Sequence, residues 1–312
     1  MAEYSIGMDL GGTNYRAAAI SNDGTILDKI SGASNSAAGR DAIVKEMVGA
    51  IGKLRENCGR DGLAGIGVAL PGFIKMDEGL ITTAPNIPAF TNFHARDALQ
   101  ERLKARVILE NDANAAALGE QWMGAGRGVD DLVLLTLGTG IGGGIIIGGK
   151  VLHGFVGMAG ELGHITVDPT GYPCNCGNTG CLEKHASATA ISSMARLLAL
   201  GEDLTAEDVS KLALAGDERA KRIFEYMGSA LGVGLASLVD IFNFPLFLLS
   251  GGVLAAWDLF SPAMFRELRQ RSLTFRNTPT RVEKATLGSD AGLFGAACLP
   301  FQRDESHVLA RG

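Results

Sequence analysis

The sequence predicts an α/β protein made of two lobes with a duplicated architecture. Its 312 residues exceed one ordinary hydrophobic core, so two lobes are expected. Both halves of the chain open with a strand, a glycine-rich hairpin and further strands, and helical patterns follow in each half. We therefore expect a small lobe over residues 1–112, onto which a C-terminal helix near 290–303 packs back, and a large lobe over residues 113–289.

The first half alternates apolar runs with turn signals, which is typical of antiparallel strands. Three such strands are predicted at Tyr4 to Leu10, Tyr15 to Ile20 and Thr25 to Ile30. The elements expected after them are a helix over about 41–57, a strand at 66–70 that ends at Pro71-Gly72, a strand at 107–109 and a helix near 111–123.

The second half repeats this order. The elements predicted there are strands at 132–137, 141–147 and 151–152, helices after Ser187, a buried run at 246–249, the pair Gly251-Gly252 and a late strand near Val282. Residues 201–240 are helix formers of mixed charge, which we interpret as a scaffold without chemistry. The tail from Asp304 is expected to fray.

Charge and composition indicate a small-molecule partner. The formal net charge is −6 and no basic segment stands out, so a broad electrostatic grip on nucleic acid is not expected. The sequence shows neither a secretory signal nor an apolar run long enough to span a bilayer. We expect a cytoplasmic protein that binds neither nucleic acid nor membranes.

The first glycine hairpin is suited to a phosphate group. It reads Asp9-Leu10-Gly11-Gly12-Thr13-Asn14, where the two glycines allow a ligand to approach the backbone closely. Asp9 is the group expected to hold Mg²⁺ through water. A Gly-Gly turn at a strand reversal is also common in proteins that bind no ligand, so this hairpin alone leaves both interpretations open.

The second hairpin, Gly138-Thr139-Gly140, contains part of a dinucleotide-binding fingerprint and is followed by part of a P-loop pattern. A fingerprint requires a helix after it, whereas the run 145–147 continues as a strand, and Val151 stands where a P-loop needs Ser or Thr. Both patterns therefore fail on their context. Two glycine hairpins in matching positions of duplicated halves predict a site for the triphosphate of a nucleotide.

A cluster of cysteines predicts a structural zinc site. Three of the five cysteines, Cys174, Cys176 and Cys181, lie on a glycine-rich loop that His164 precedes. One nitrogen and three sulfurs form a closed tetrahedral set for Zn²⁺, with no position left for a catalytic water. The alternative is a set of ordinary buried thiols, but Cys-x-Cys-x₄-Cys among glycines and asparagines is not typical of a core.

These features together resemble the ROK family of sugar kinases, and the bacterial glucokinases within it most closely. The resemblance runs from the first glycine hairpin to Gly251-Gly252, and the segment from Gly160-Glu161 through His164 to Glu183 is highly specific. It implies an actin-like ATPase fold of two ribonuclease-H-like lobes, with ATP and sugar meeting in the cleft between them. It also implies a homodimer or a higher homo-oligomer.

The resemblance assigns roles to individual residues. Asp112 is implied as the catalytic base. The sugar-binding residues implied beside it are Gly72, Asn86, Asn111, Glu161, His164 and Glu183, and Gly252 joins the two hairpins in the nucleotide site. The chain departs from the glucokinase pattern after Asn86, where Pro88-Ala89-Phe90 replaces the common Pro-Gly-Trp.

Several alternatives remain open at this stage. Glucose is the favoured acceptor, with N-acetylmannosamine, N-acetylglucosamine and fructose as rivals, and polyphosphate could replace ATP as the donor. A sugar-sensing regulator without kinase activity and an actin-like ATPase that acts on protein partners are candidates from other classes. For Asp112, the structural alternative is a helix N-cap.

Overall fold

The computed structural model describes residues 3–34, 39–59 and 61–302, which divide into two units. Unit 1 comprises Met1–Gly128, Lys150–Ala159 and Ser289–Gly312, and unit 2 comprises Val129–Gly149 and Gly160–Gly288. The first segment of unit 1 thus continues beyond the boundary expected after residue 112. The tail from Asp304, which we expect to fray, lies outside the described residues.

The strands and helices alternate along the chain. The strands are β1 (Tyr4–Leu10), β2 (Asn14–Ser21), β3 (Ile26–Ala33), β4 (Leu63–Leu70), β5 (Phe73–Lys75), β6 (Leu80–Thr83), β7 (Val107–Asn111), β8 (Leu132–Leu137), β9 (Ile141–Ile147), β10 (Lys150–Val151), β11 (Leu246–Ser250) and β12 (Arg281–Lys284). The α-helices are α1 (Arg40–Cys58), α2 (Ala95–Leu103), α3 (Asp112–Met123), α4 (Glu183–Ala186), α5 (Ala188–Leu197), α6 (Ala206–Leu214), α7 (Glu218–Phe242), α8 (Trp257–Arg271), α9 (Leu273–Asn277) and α10 (Ala291–Cys298).

The sheet of unit 1 has the strand order β3-β2-β1-β4-β7. Strands β1, β2 and β3 form an antiparallel meander, and β4 and β7 continue from β1 in parallel. The three parallel strands are buried on both faces, as expected when helices cover a sheet on each side.

Four strands of unit 2 repeat this topology, as neighbours in the order β9-β8-β11-β12. Strand β8 pairs antiparallel with β9, while β11 runs parallel to both β8 and β12. The order β9-β8-β11-β12 corresponds to β2-β1-β4-β7 in unit 1. The predicted α/β class with a duplicated sheet is confirmed.

The two faces of the unit 1 sheet pack in different ways. On one face, large apolar side chains of β1 and β4 pack against α1 and α2 in one continuous core. On the other face, alanines and glycines meet α10 and α3, with Ala69, Ala115 and Ala296 forming one small buried cluster. Small residues on this second face allow the helix backbones to lie close to the strands.

Glycines determine how closely α10 approaches its neighbours. A Cβ atom at Gly67 of β4 would collide with the backbone oxygen of Ala296, and one at Gly295 would collide with the backbone oxygen of Ala115 in α3. Helix α10 therefore holds β4 and α3 at a distance that only glycine permits. This packing explains why α3 and the C-terminal helix both belong to unit 1.

Within each unit, the loops of interest lie at the carboxyl ends of neighbouring parallel strands. In unit 1, the first hairpin follows β1, Pro71-Gly72 follows β4, and Asp112 follows β7. In unit 2, Gly138 follows β8 and Gly251 follows β11. Open α/β sheets bind ligands at this edge, because the carboxyl ends of parallel strands converge there.

No helix in the described ranges is both long and apolar enough to cross a bilayer.

The substitution Gly295→Ala tests the close packing of α10. The added methyl group overlaps the backbone of α3, so we expect a loss of about 1–3 kcal/mol in unfolding free energy, measured by urea denaturation. The matched control is Gly49→Ala, also within a helix of unit 1 but with nothing near its Cβ position. This control should gain about 0.5–1 kcal/mol, because alanine favours the helix. Equal effects at both positions would contradict the packing argument.

Candidate functional site

The first hairpin of unit 1 is a tight turn in contact with a second loop. The backbone N–H of Gly11 donates to the oxygen of Asn14 over 2.8 Å and closes the turn. A Cβ atom at Gly12 would lie 2.9 Å from the backbone oxygen of Asn86. The structure therefore brings the hairpin and the loop of Asn86 together, while the side chains of Thr13, Asn14 and Asn86 remain exposed.

Asp9, near the end of β1, carries a charge that its surroundings disfavour. Burial raises the pKa of Asp9 to about 6, and the nearby carboxylates of Asp112 and Asp290 add to this rise. The guanidinium of Arg16, 3.6 Å from Asp9 Oδ2, opposes it only in part. A divalent cation beside Asp9 would relieve the same repulsion.

Asn111 holds the start of helix α3 in place. Its Oδ1 accepts hydrogen bonds from the backbone N–H groups of Ala113 and Asn114, so Asn111 is the N-cap of α3. Its Nδ2 donates to the backbone oxygen of Gly72 over 3.2 Å. The side chain of Asn111 also hydrogen-bonds the carboxylate of Asp112 and lowers the pKa of that group.

Asp112 is the first residue of α3 and not its cap. Its Oδ1 also accepts from the backbone N–H of Ala113, over 2.9 Å. The side chain remains accessible to solvent, although protein atoms surround it densely. This burial raises the pKa of Asp112, and the hydrogen bond from Ala113 counters the rise only partly. A raised pKa makes the carboxylate a stronger proton acceptor.

Two residues before Asp112, the buried carboxylate of Glu110 pairs with the half-buried ring of His153, a contact that the sequence did not predict. The carboxylate of Glu110 is 2% exposed, and its Oε2 lies 2.7 Å from Nε2 of His153. Burial lowers the pKa of His153, but the hydrogen bond and the charge of Glu110 outweigh it and raise the pKa overall. The only sequence signal was the position of Glu110, directly before Asn111-Asp112.

The departure at Pro88-Ala89-Phe90 places one side chain, that of Phe90, in the hydrophobic core. These residues form a short 3₁₀ helix, in which Phe90 is buried and lies 5.2 Å from the ring of Phe93. The side chain of Arg40 stacks on Phe93 and donates to the oxygen of Ala89. The buried Phe90 therefore anchors the 3₁₀ helix that directly follows the loop of Asn86.

In unit 2, the second hairpin is held by Glu183. Its Oε2 accepts from the backbone N–H of Ile141 over 3.0 Å, and the same carboxylate occupies the space beside Gly140. The start of α5 also holds the hairpin, since Thr189 Oγ1 donates to the oxygen of Thr139 over 2.7 Å. Glu183 thus connects the end of the cysteine loop with the hairpin.

A cavity of about 370 Å³ opens beside Thr139. Helix α5 contributes Thr189, Ser192 and Arg196 to its lining, and the loop 202–206 contributes the opposite side. Arg196 anchors this loop by donating to the oxygen of Glu202. The sequence predicts a scaffold without chemistry over residues 201–240, whereas residues 202–206 line this cavity. A cavity of this kind leaves no local sequence pattern, since its lining residues are separated along the chain.

Gly251 and Gly252 follow β11 at the edge of the unit 2 sheet. Gly251 has a φ of 101° and lies directly against the backbone of Leu137, so a side chain there would be strained and would collide. The Cβ position of Gly252 has no atom within 4 Å. The backbone at Gly252 is accordingly open to a ligand.

The four predicted metal ligands converge within unit 2. The ligand atoms of His164, Cys174, Cys176 and Cys181 all lie within 4.8 Å of one another. The Sγ atoms of Cys176 and Cys181 are 3.6 Å apart, and His164 Nδ1 is 3.6 Å from Cys174 Sγ. A tetrahedral zinc site with Zn–S bonds of about 2.3 Å would place sulfurs about 3.8 Å apart, so the residues fit such an ion.

The backbone of the cysteine loop supports this arrangement. The N–H of Cys174 donates to the oxygen of Asn178, and Gly177 adopts a φ of 93° at the tip of the turn. The side chain of Asn178 donates to Thr166 Oγ1 and contacts the sulfur of Cys181. Burial and the neighbouring thiols raise the pKa of Cys181 to about 12, so a cation is needed to hold this sulfur as a thiolate.

The second nitrogen of His164 faces a carboxylate. His164 Nε2 lies 3.8 Å from Glu161 Oε2, while Nδ1 faces the cysteines. Both side chains remain partly exposed, 34% for His164 and 43% for Glu161. The ring can therefore contact a metal on one side and a polar ligand on the other.

The predicted site residues form two groups. Within unit 1, the structure brings together the first hairpin, Gly72, Asn86, Asn111 and Asp112. Within unit 2, it brings together the second hairpin with Glu183, and Glu161 with His164 and the cysteines.

Comparison with protein families gives one match along nearly the whole chain, as the model described as ROK family matches residues 5–303. The chain belongs to the ROK family. The predicted resemblance is therefore confirmed, and with it the actin-like α/β fold class that the family implies.

Individual relatives agree with the family match. The chain is 40% identical to a glucokinase of Halalkalibacterium halodurans over 96% of both chains. It resembles the crystal structure of a ROK hexokinase from Thermus thermophilus with a TM-score of 0.84 and 34% identity, covering 94% of this chain and 96% of that one. A ROK glucokinase from Streptomyces griseus, in complex with glucose and AMPPNP, matches with a TM-score of 0.77 and 34% identity over 95% and 98% of the two chains.

The substitution Cys176→Ser tests the metal site. Removing one thiolate weakens metal binding, so we expect elemental analysis to find less metal per chain and calorimetry to find a lower Tm. Cys58→Ser is the control, because Cys58 lies in unit 1, outside the four-residue cluster. Full metal content in the Cys176 variant would contradict the assignment.

Proposed function

We propose that this ROK protein is a glucokinase, which transfers the γ-phosphoryl group of ATP to a hydroxyl of glucose. The observation that carries the proposal is the position of Asp112 at the start of α3, with a raised pKa. Asp112 lies next to Asn111, which bonds Gly72, and is close enough to Asp9 to raise the pKa of that carboxyl. The glucokinase relatives, which match over nearly the full length, support glucose as the acceptor.

In this proposal, Asp112 orients the attacking hydroxyl and accepts its proton. A free aspartate has a pKa of about 3.9 and is a weak base toward a sugar hydroxyl. In a loose phosphoryl-transfer transition state, however, the hydroxyl must first be aimed and loses its proton late. A carboxylate fixed by the Ala113 N–H and raised in pKa by burial is suited to that task.

For the nucleotide, we assign Gly11 to Asn14 and Gly138 to Gly140 as the loops that bind phosphate through their backbone N–H groups. The cavity beside Thr139 is large enough for a purine base, and its threonine, serine and aspartate side chains offer hydrogen bonds. Gly252 completes the assignment as an open backbone position.

Two metals belong to the proposal. Mg²⁺ would be held through water by Asp9, whose unfavourable charge a cation would stabilise, and it would neutralise charge on the phosphates. Zn²⁺ would be held by His164 and the three cysteines, and four protein ligands make that ion structural. Zinc would thereby fix the segment that begins at Glu161 and ends at Glu183.

Sugar recognition is assigned to the remaining polar residues. Gly72, Asn86 and Asn111 are proposed sugar contacts in unit 1, and Glu161, His164 and Glu183 are proposed contacts in unit 2. Preference among glucose, N-acetylmannosamine, N-acetylglucosamine and fructose, the use of polyphosphate, a homodimer and a cytoplasmic location remain predictions.

The substitution Asp112→Asn tests the proposed base. Without the carboxylate, kcat for glucose phosphorylation should fall at least roughly 100-fold, while the Kd for glucose changes little. Coupled ATP turnover and calorimetric titration measure the two quantities. Asp41→Asn is the control, since Asp41 also lies in the first turn of a unit 1 helix but belongs to neither group of candidate site residues. A nearly normal kcat in the Asp112 variant would refute its role.

The substitution Ser192→Phe tests the nucleotide cavity. A phenyl ring would fill the space beside Thr139, so the KM for ATP should rise about tenfold or more while the KM for glucose stays nearly constant. Ser193→Phe places the same ring on the exposed side of α5 and should leave both constants unchanged. An unaltered KM for ATP in the Ser192 variant would show that the base binds elsewhere.

A further inference from the structure

The carboxylate of Glu110 accepts hydrogen bonds from residues on both sides of Asp112 in the sequence. Its Oε1 accepts from the backbone N–H of Asn111 over 2.9 Å and from Asn114 Nδ2 over 3.1 Å. Its Oε2 pairs with His153 at 2.7 Å. Asn111 and Asn114 stand on either side of Asp112 in the sequence, so Glu110 fixes the peptide segment from which the Asp112 side chain projects.

A carboxylate this deeply buried needs a positive partner. An unpaired buried charge is strongly disfavoured and either takes up a proton or draws the surrounding structure toward water. His153 is the charged or hydrogen-bonding partner that the structure provides on the Oε2 side. Its pKa is raised despite burial, which agrees with a ring that stabilises the ionised form of Glu110.

The backbone of His153 is held as firmly as its ring. Its carbonyl oxygen accepts from the N–H of Ala159 over 3.1 Å, which closes the loop between the two residues. Within that loop, Gly157 lies against the backbone of Ile74 in unit 1. His153 is therefore anchored on unit 1 independently of Glu110, and its ring can act as a fixed support for the carboxylate.

We infer that His153 and Glu110 form a positioning pair for Asp112, in which His153 holds the Glu110 carboxylate and Glu110 holds the Asn111–Asn114 segment that carries the base. The inference rests on the proposed role of Asp112. It adds His153, which follows Asp112 by 41 positions in the sequence, to the residues on which that role depends. Neither member of the pair needs to contact the substrate.

This role differs from a purely structural one in its kinetic consequence. If the pair only stabilised the fold, its loss would lower the Tm and leave the turnover of folded molecules unchanged. If it positions the base, its loss displaces the carboxylate from the attacking hydroxyl. A displacement of about 1 Å can reduce the rate about 100-fold without much change in substrate binding.

The first experiment compares three variants of the full chain. His153→Leu removes the ring nitrogen, and we expect kcat to fall about 10- to 100-fold while KM for glucose and for ATP stays within about threefold. His153→Gln places an amide nitrogen near the position of Nε2, and kcat should recover to within about threefold of the parent protein. His94→Leu is the control, since His94 is an exposed histidine of unit 1 whose side chain does not cap α2.

The second experiment asks whether His153 acts through Asp112. In an Asp112→Asn background, His153→Leu should lower kcat by less than about twofold further, because the group it positions is already lost. An equal fold-loss in both backgrounds would overturn the inference, as would a normal kcat in His153→Leu or a failure of His153→Gln to recover activity.

The Asp112→Asn variant measured alone distinguishes a failure of the proposed base from a failure of the positioning pair. If it keeps a nearly normal kcat, the proposed base is refuted, and the positioning role falls with it. If it loses activity while His153→Leu does not, the base stands and only the positioning pair is refuted.

Discussion

The approach of α10 to its neighbours is the constraint on which the candidate site residues of unit 1 depend. Helix α10 lies against β1, β4 and α3, and glycines at positions 7, 67 and 295 are the contact points. Strand β1 carries Asp9, and α3 begins with Asp112. The same packing that buries α10 therefore determines how far apart two like charges stand. Burial raises the pKa of both carboxyls, and the nearby charge of Asp112 adds to the rise at Asp9.

The buried carboxylates of unit 1 differ in how far a positive partner balances their charge. Glu110 is balanced by His153, and Asp9 is balanced only in part by Arg16. The negative charge of Asp9 is therefore not fully balanced, and a magnesium ion that binds together with a nucleotide would balance it. In unit 2, the three cysteine sulfurs and His164 lie together, and as thiolates the sulfurs would repel one another unless a cation such as zinc held them.

Sequence patterns predicted the features that depend on neighbouring residues. The strands around both hairpins, the helix after Asn111 and the four metal ligands follow from local periodicity, turn chemistry and ligand type, and the structure has all of them. Asn111 is the N-cap of α3, whereas Asp112, for which the sequence also allows that role, is the first helical residue. The pairing of Glu110 with His153 and the cavity beside Thr139 could not be predicted, because both join residues that are distant in the chain and carry no shared motif.

Unit 1 is assembled from three separate stretches of the polypeptide, and the last of them contains α10. During translation, β1, β2 and β4 emerge from the ribosome long before α10, the helix that packs on one face of their sheet. Until α10 is synthesised, Ala18 and Ile20 of that face lack the buried partners Leu293 and Ala297. Unit 2 ends at Gly288, so its chain is synthesised before α10. Although the synthesis of unit 1 begins first, unit 2 can complete its fold before unit 1 does.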